Sequence, residues 1–176
     1  MSSSRQPHGE PVASRVVPSP AGAVLLRPLV HEIVNLTATT LPERFAADAP
    51  LIVVDVDGRH AVAVEPGALR RVLATLVHDA VVAAAGQMAT SDVPGLREVV
   101  ITSICTSDAI EIEVADSSSA APDAIGMAAG SARSIVERLG GSLQIHRCAE
   151  GGRAVTLSFP RSAAGQSVGG GLRRAA

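Results

Sequence analysis

The 176-residue chain has a formal net charge of −2, 47% hydrophobic residues and only 1% aromatic ones. That length suits one domain plus tails, and its core must be built from Val, Leu, Ile and Ala, because Phe45 and Phe159 are the only rings. The charge balance and the scarcity of stacking aromatics exclude a nucleic-acid footprint, and chemistry on a lysine is excluded because all fifteen basic residues are Arg. No apolar run approaches the roughly 20 residues of a membrane span, and the first residues have no apolar stretch of signal-peptide type. A soluble, cytoplasmic protein is expected, with Cys105 and Cys148 reduced and partly buried.

Residues 1–23 are rich in Ser, Pro, Arg and Gly and are expected to form a disordered tail. Leu26 to Leu41 carries Leu26, Val30, Ile33, Val34 and Ala38 at helical spacing. Leu51–Val56 is β-branched and strand-like. Asp57-Gly58 is a two-residue turn signal and His60–Val64 a short strand, so the pair predicts a hairpin. Pro66-Gly67 opens a helix running to about Ala85, with Leu69, Val72, Leu73, Leu76, Val77, Ala80 and Val81 on one face. Val99–Thr106 and Ala109–Asp116 are strands around Ser107-Asp108. Ala128–Leu139 is a helix that Gly140-Gly141 terminates, glycine being the residue that supplies a left-handed cap. Ser142–Arg147 and Arg153–Phe159 form a last hairpin, and residues 162–176 are expected to be a flexible tail. Helices alternating with strand pairs predict an α+β two-layer sandwich, a mixed sheet with helices packed on one face.

Three segments carry a resemblance. Leu69–Gly86, LRRVLATLVHDAVVAAAG, resembles the helix with an N-L-x-x-N-A motif in the superfamily of histidine kinases, DNA gyrase, chaperone and mismatch-repair ATPases. Ile110–Pro122, IEIEVADSSSAAP, resembles its D-x-G-x-G strand and loop. Gly126–Gly141, GMAAGSARSIVERLGG, resembles the G-L-G-L helix start and the closing I-V-E-x-H-G-G of histidine kinases. The ending GGRAVTLSFPR looks like the last hairpin of the same domain.

The resemblance implies a Bergerat-type ATPase fold over 24–161, with ATP and Mg²⁺ as cofactors. Asp116 matches the aspartate that accepts from the adenine amino group; read without its flanks, it equally well ends a strand. Ser118 and Ala120 stand at the two loop glycines. Gly126 matches a glycine facing the phosphates, and Ala128 replaces the next one. Thr156 falls where a threonine helps hold the adenine. Thr75 and Asp79 stand at the two asparagines of the helix motif. Asp79 takes the metal position, and its carboxylate is a hard oxygen ligand suited to Mg²⁺. Glycines admit backbone conformations closed to other residues, so their replacement alters the loop. Thr75 also occupies the place of the general-base Glu of the gyrase-type ATPases, which disfavours activated-water hydrolysis. No catalytic residue is assigned.

His31-Glu32 has the look of a phosphoacceptor pair but lies in the domain's own first helix. His78, Arg133 and Arg138 read as solvated helix residues. The leading expectation is a stand-alone histidine-kinase-like ATP-binding domain in two-component-type signalling, one that binds ATP–Mg²⁺ weakly or has lost binding and kept the fold as an interaction surface. Its partners would be a response regulator or a separate histidine-bearing protein, with neither nucleic acid nor membrane. A serine kinase of the anti-sigma-factor type and a non-catalytic adaptor are the alternatives.

Overall fold

The computed structural model describes residues 22–41, 49–86, 97–118, 127–148 and 151–161. Strand β1 (Val24–Leu25) leads into helix α1 (Leu26–Thr40), which buries Leu26, Leu29, Val30, Ile33 and Thr37. The helix ends at Leu41, which is extended (ψ 127°). Pro42 follows in the sequence, and the residue before a proline is driven out of the helical region. Then come β2 (Leu51–Asp55), β3 (Ala61–Val62) and the 20-residue α2 (Pro66–Ala85). Glu65 caps α2 by accepting from the backbone N–H groups of Gly67 and Ala68, and Pro66 takes the first helical position, where its missing N–H costs nothing. Strands β4 (Glu98–Cys105) and β5 (Ala109–Asp116), helix α3 (Met127–Arg138) and strands β6 (Ser142–Arg147) and β7 (Arg153–Pro160) complete the order.

Five strands form one sheet in the order β2-β4-β5-β7-β6. The β2–β4 pair is parallel and the rest antiparallel, so the sheet is mixed as expected. Alternation along the strands divides its faces. Val99, Ile101, Ile112, Val114, Leu157, Phe159 and Leu143 are buried under the helices. On the other face Glu113, Thr156 and Thr102 are only half-buried, and Ile104 is 60% exposed. Each fully buried aliphatic or Phe side chain contributes roughly 1.5–3 kcal/mol of transfer free energy. Phe159, Ile101, Leu157, Leu69 and Leu73 are thus among the largest contributors to the core of the described residues.

One expected element pairing is corrected. The Asp57 turn forms, with His60 N–H donating to the Asp57 carbonyl at 3.1 Å, but β3 does not fold back on β2. It pairs antiparallel with β1, Val24 opposite Val62 and Leu25 opposite Ala61. The physical reason is burial: Val62 and Val64 are covered in the core that the start of α1 closes, while β2 spends its pairing edge on β4. Both cysteines are thiols, and Cys105 is exposed rather than partly buried.

The chain end of α3 is fixed against the sheet. Gly140 has φ +81°, and Gly141 N–H donates to the Val136 carbonyl at 3.0 Å. A side chain at Gly141 would meet the Phe159 ring and the Ser158 carbonyl at 2.7 Å, so only glycine allows this approach.

Candidate functional site

Two backbone devices build the site. The amphipathic pattern of α2 places Thr75 and Asp79 one turn apart on one helix face. The β5–β7 register places the last residue of β5, Asp116, opposite the first of β7, Arg153. The turn before Arg153 depends on Gly151 (φ +95°) and Gly152 (φ +88°). A methyl group on Gly152 would lie 1.9 Å from the Asp116 carbonyl oxygen, so the two strands can close on this end only through a glycine.

The Asp116 side chain is 1% exposed and fully engaged. Its Oδ1 accepts from Ser118 N–H at 3.0 Å and from the Ser118 hydroxyl. Its Oδ2 accepts from Arg153 Nη2 at 3.3 Å, and the same nitrogen donates to Asp79 Oδ2 at 3.0 Å. Asp79 from α2, Asp116 from β5 and Arg153 from β7 therefore meet at one guanidinium nitrogen. Burying charges is tolerable only where they are paired and hydrogen-bonded, which this arrangement achieves for both carboxylates. Arg153 Nε is also buried, and it has no acceptor among the described residues.

The structure thus brings together three of the residues read from the sequence: Asp116, Ser118 and Asp79. Thr75 lies one turn from Asp79, half-buried, its hydroxyl donating to the Arg71 carbonyl at 2.8 Å. Thr156 does not join them, which corrects the sequence reading. It is three residues beyond Arg153, so strand alternation turns it to the opposite face of the sheet, where it donates to Glu113 Oε2 at 2.9 Å. Ala128 lies in the first turn of α3. Ala120 and Gly126 fall outside the described residues, as do all of residues 119–126. His31, His78, Arg133 and Arg138 are exposed. Glu32, beside His31, pairs with Arg70 of α2 and so serves to join the first two helices.

Arg153 was not among the residues singled out from sequence. The signal that finds it is register: counting the last hairpin back from its Gly-Gly turn puts the first residue of β7, not the fourth, across from Asp116. Away from this site, the end of β2 opens on a shallow cleft of about 550 Å³ that includes Asp57, His60 and Ser103. There the Arg59 side chain, bonded to Asp57 at 2.7 Å, holds the Asp57 carboxyl well below the usual carboxylate range.

A mixed five-stranded sheet with three helices on one face is the fold of the catalytic domains of histidine kinases. Known structures agree. The catalytic domain of histidine kinase ThkA, in a nucleotide-free form, matches with a TM-score of 0.64 at 17% identity, over 79% of this chain and 95% of that one. The Acinetobacter baumannii histidine kinase AdeS matches at 0.61 and 14% identity, over 79% of this chain and 66% of that one. The cytoplasmic segment of histidine kinase QseC matches at 0.58 and 14%, over 78% and 76%. No protein family matches the sequence, and no curated protein does.

Proposed function

We propose that residues 24–161 form a nucleotide-binding module of two-component-type signalling, which takes ATP with Mg²⁺ weakly and donates to a histidine on a separate protein. The observation that carries this reading is the meeting of Asp116 and Asp79 at Arg153. It joins, on one side of the sheet, the two carboxylates that the purine and the metal each require. Asp116 would accept from the exocyclic amino group of adenine, with Ser118 holding its other oxygen in place. Ala120, Gly126 and Ala128 are proposed to flank the phosphates, the first turn of α3 offering backbone N–H groups to anions.

The donor chemistry fits Mg²⁺. Asp79 is a single hard oxygen ligand with a third of its side chain exposed, and among the described residues no cluster of three metal-ligating side chains occurs. Mg²⁺ commonly binds in this way, through one or two carboxylates with phosphates and waters completing the shell. When bound, the ion would neutralise phosphate charge. Thr75, next along the helix face, offers a hydroxyl and no base, so transfer to a protein acceptor is favoured over hydrolysis. The acceptor histidine would belong to a partner, with a response regulator downstream in a cytoplasmic pathway. Among the described residues, no helix is long and apolar enough to cross a membrane.

Titration with a fluorescent ATP analogue and Mg²⁺ tests the reading. Saturable binding that weakens at least tenfold in Asp116→Asn supports it, and binding indifferent to that change refutes it. Incubation with labelled ATP and partner proteins separates the kinase classes, because phosphohistidine is acid-labile and phosphoserine acid-stable. A second reading, an adaptor that binds a response regulator without nucleotide, is favoured by the engagement of both Asp116 oxygens within the chain itself.

A further inference from the structure

We propose that Arg153 is an internal latch on this site, occupying the space between Asp116 and Asp79, so that ATP–Mg²⁺ binds only after its guanidinium swings out. The inference rests on the nucleotide-binding reading above and adds a regulatory residue to it.

The geometry supports a latch rather than a permanent strut. Arg153 reaches both carboxylates through one nitrogen, Nη2. The strong form of such a pair is a fork, two parallel N–H···O bonds to one carboxylate, and Arg153 makes none. Its Nε is buried without an acceptor among the described residues, a state that raises the free energy of the closed form. The guanidinium therefore sits in the site with part of its donor capacity unused. The outer end of the bridge is accessible, since Asp79 is 33% exposed while Asp116 is 1% exposed. A cation arriving with a polyphosphate would meet Asp79 first, displace Arg153 there, and free Asp116 Oδ2 for the base.

The latch acts through its side chain. The Gly151-Gly152 turn and the β5–β7 register hold the Arg153 backbone, so the swing is assigned to the side-chain torsions. Charge supports the same sequence of events. One monovalent cation now balances two carboxylates, and a divalent ion would balance them better. Nucleotide without Mg²⁺ would bring phosphate charge toward an Asp79 that has lost its partner. Displacement of the latch is therefore tied to the metal.

The test uses the full chain and a fluorescent ATP analogue, with and without Mg²⁺, in the unmodified protein, Arg153→Ala and Arg153→Met. Met keeps most of the side-chain volume and removes the charge. The latch predicts that both variants bind the analogue with Mg²⁺ at least tenfold more tightly than the unmodified chain, and that their binding depends more steeply on Mg²⁺. Equal affinity in all three chains overturns the latch and leaves the ATP reading standing. Weaker binding in both variants overturns it too, and makes Arg153 a ligand of the nucleotide. Binding by none of them at millimolar nucleotide, with folding confirmed by circular dichroism, overturns latch and ATP reading together. A measurement on the unmodified chain covers the case where the variants do not fold. The Arg153 Nε–H resonance should shift and exchange faster with solvent on saturation with ATP–Mg²⁺; an unchanged resonance in the saturated protein overturns the latch.

Discussion

Gly151 and Gly152 allow a controlled test of how the site is held. Both have positive φ, +95° and +88°. Among the described residues, a methyl group at Gly151 would meet nothing within 4 Å, whereas one at Gly152 would lie 1.9 Å from the Asp116 carbonyl oxygen and 3.1 Å from the Ser117 Cα. Gly151→Ala therefore carries only the backbone term, about 1–2 kcal/mol for an L-residue in the left-handed region. Gly152→Ala carries that term plus relief of the collision, which requires β5 and β7 to separate where Asp116 faces Arg153. Forcing extra volume into packed structure costs typically ~1–3 kcal/mol. The expected losses are thus about 1–2 kcal/mol for Gly151→Ala and on the order of 2–5 kcal/mol for Gly152→Ala. For a domain of this size each kcal/mol lowers Tm by about 3–5 °C. Thermal unfolding followed by circular dichroism measures both. Equal Tm losses in the two variants would refute the claim that Gly152 is required by contact with Asp116 rather than by its own torsion.

Other substitutions address the core, the open face and the charge cluster. Phe159→Ala removes a ring that is 1% exposed and packs at Gly141, and should cost about 3–5 kcal/mol in denaturant unfolding. Thr156→Val should leave nucleotide-analogue binding unchanged within twofold, because its hydroxyl serves Glu113 on the far face of the sheet; its stability loss should stay near 1 kcal/mol. Asp57→Asn removes a carboxyl whose acidity the Arg59 bond strengthens. Since the folded-state pKa is depressed, the pair's contribution is fully present above the ordinary carboxylate pKa of about 3.9 and is lost as pH falls below it. The stability difference between the two chains, small at neutral pH for so exposed a pair, should therefore shrink toward zero on acidification.

Much of this fold was legible in the sequence because its elements have strong local signals. Pro66-Gly67 and the apolar stripe from Leu69 to Val81 mark α2 to within a residue of its observed ends. The alternation from Ile110 to Asp116 fixes which side chains enter the core, Asp116 among them. The misread first hairpin shows the complement. Asp57-Gly58 does make a turn, but local turn chemistry does not say which strand receives the chain, and β1, only two residues long, carries no periodic signal of its own. Site residues divided along the same line. Asp79 and Asp116 lie on well-marked elements, so their places on α2 and β5 were legible. Thr156 is read from the resemblance of its hairpin, whereas its face is set by register, and a register one residue out of phase reverses a side chain's face. Arg153 was invisible for a related reason. An arginine after a glycine pair reads as a solvated turn residue until the β5–β7 pairing sets it between two carboxylates.

The central claim is that Asp116 and Asp79 together mark a nucleotide site on the helix-covered side of the sheet. Titration of the isotope-labelled full chain with ATP and Mg²⁺, followed by amide NMR, tests it most directly. The account predicts saturable shifts centred on Asp116–Ser118, the start of β7, the turn of α2 around Asp79 and the residues proposed to flank the phosphates, Ala120, Gly126 and Ala128, with Glu113 and Thr156 unmoved. An unchanged spectrum at millimolar ATP–Mg²⁺, or shifts centred on Glu113 and Thr156, would contradict it.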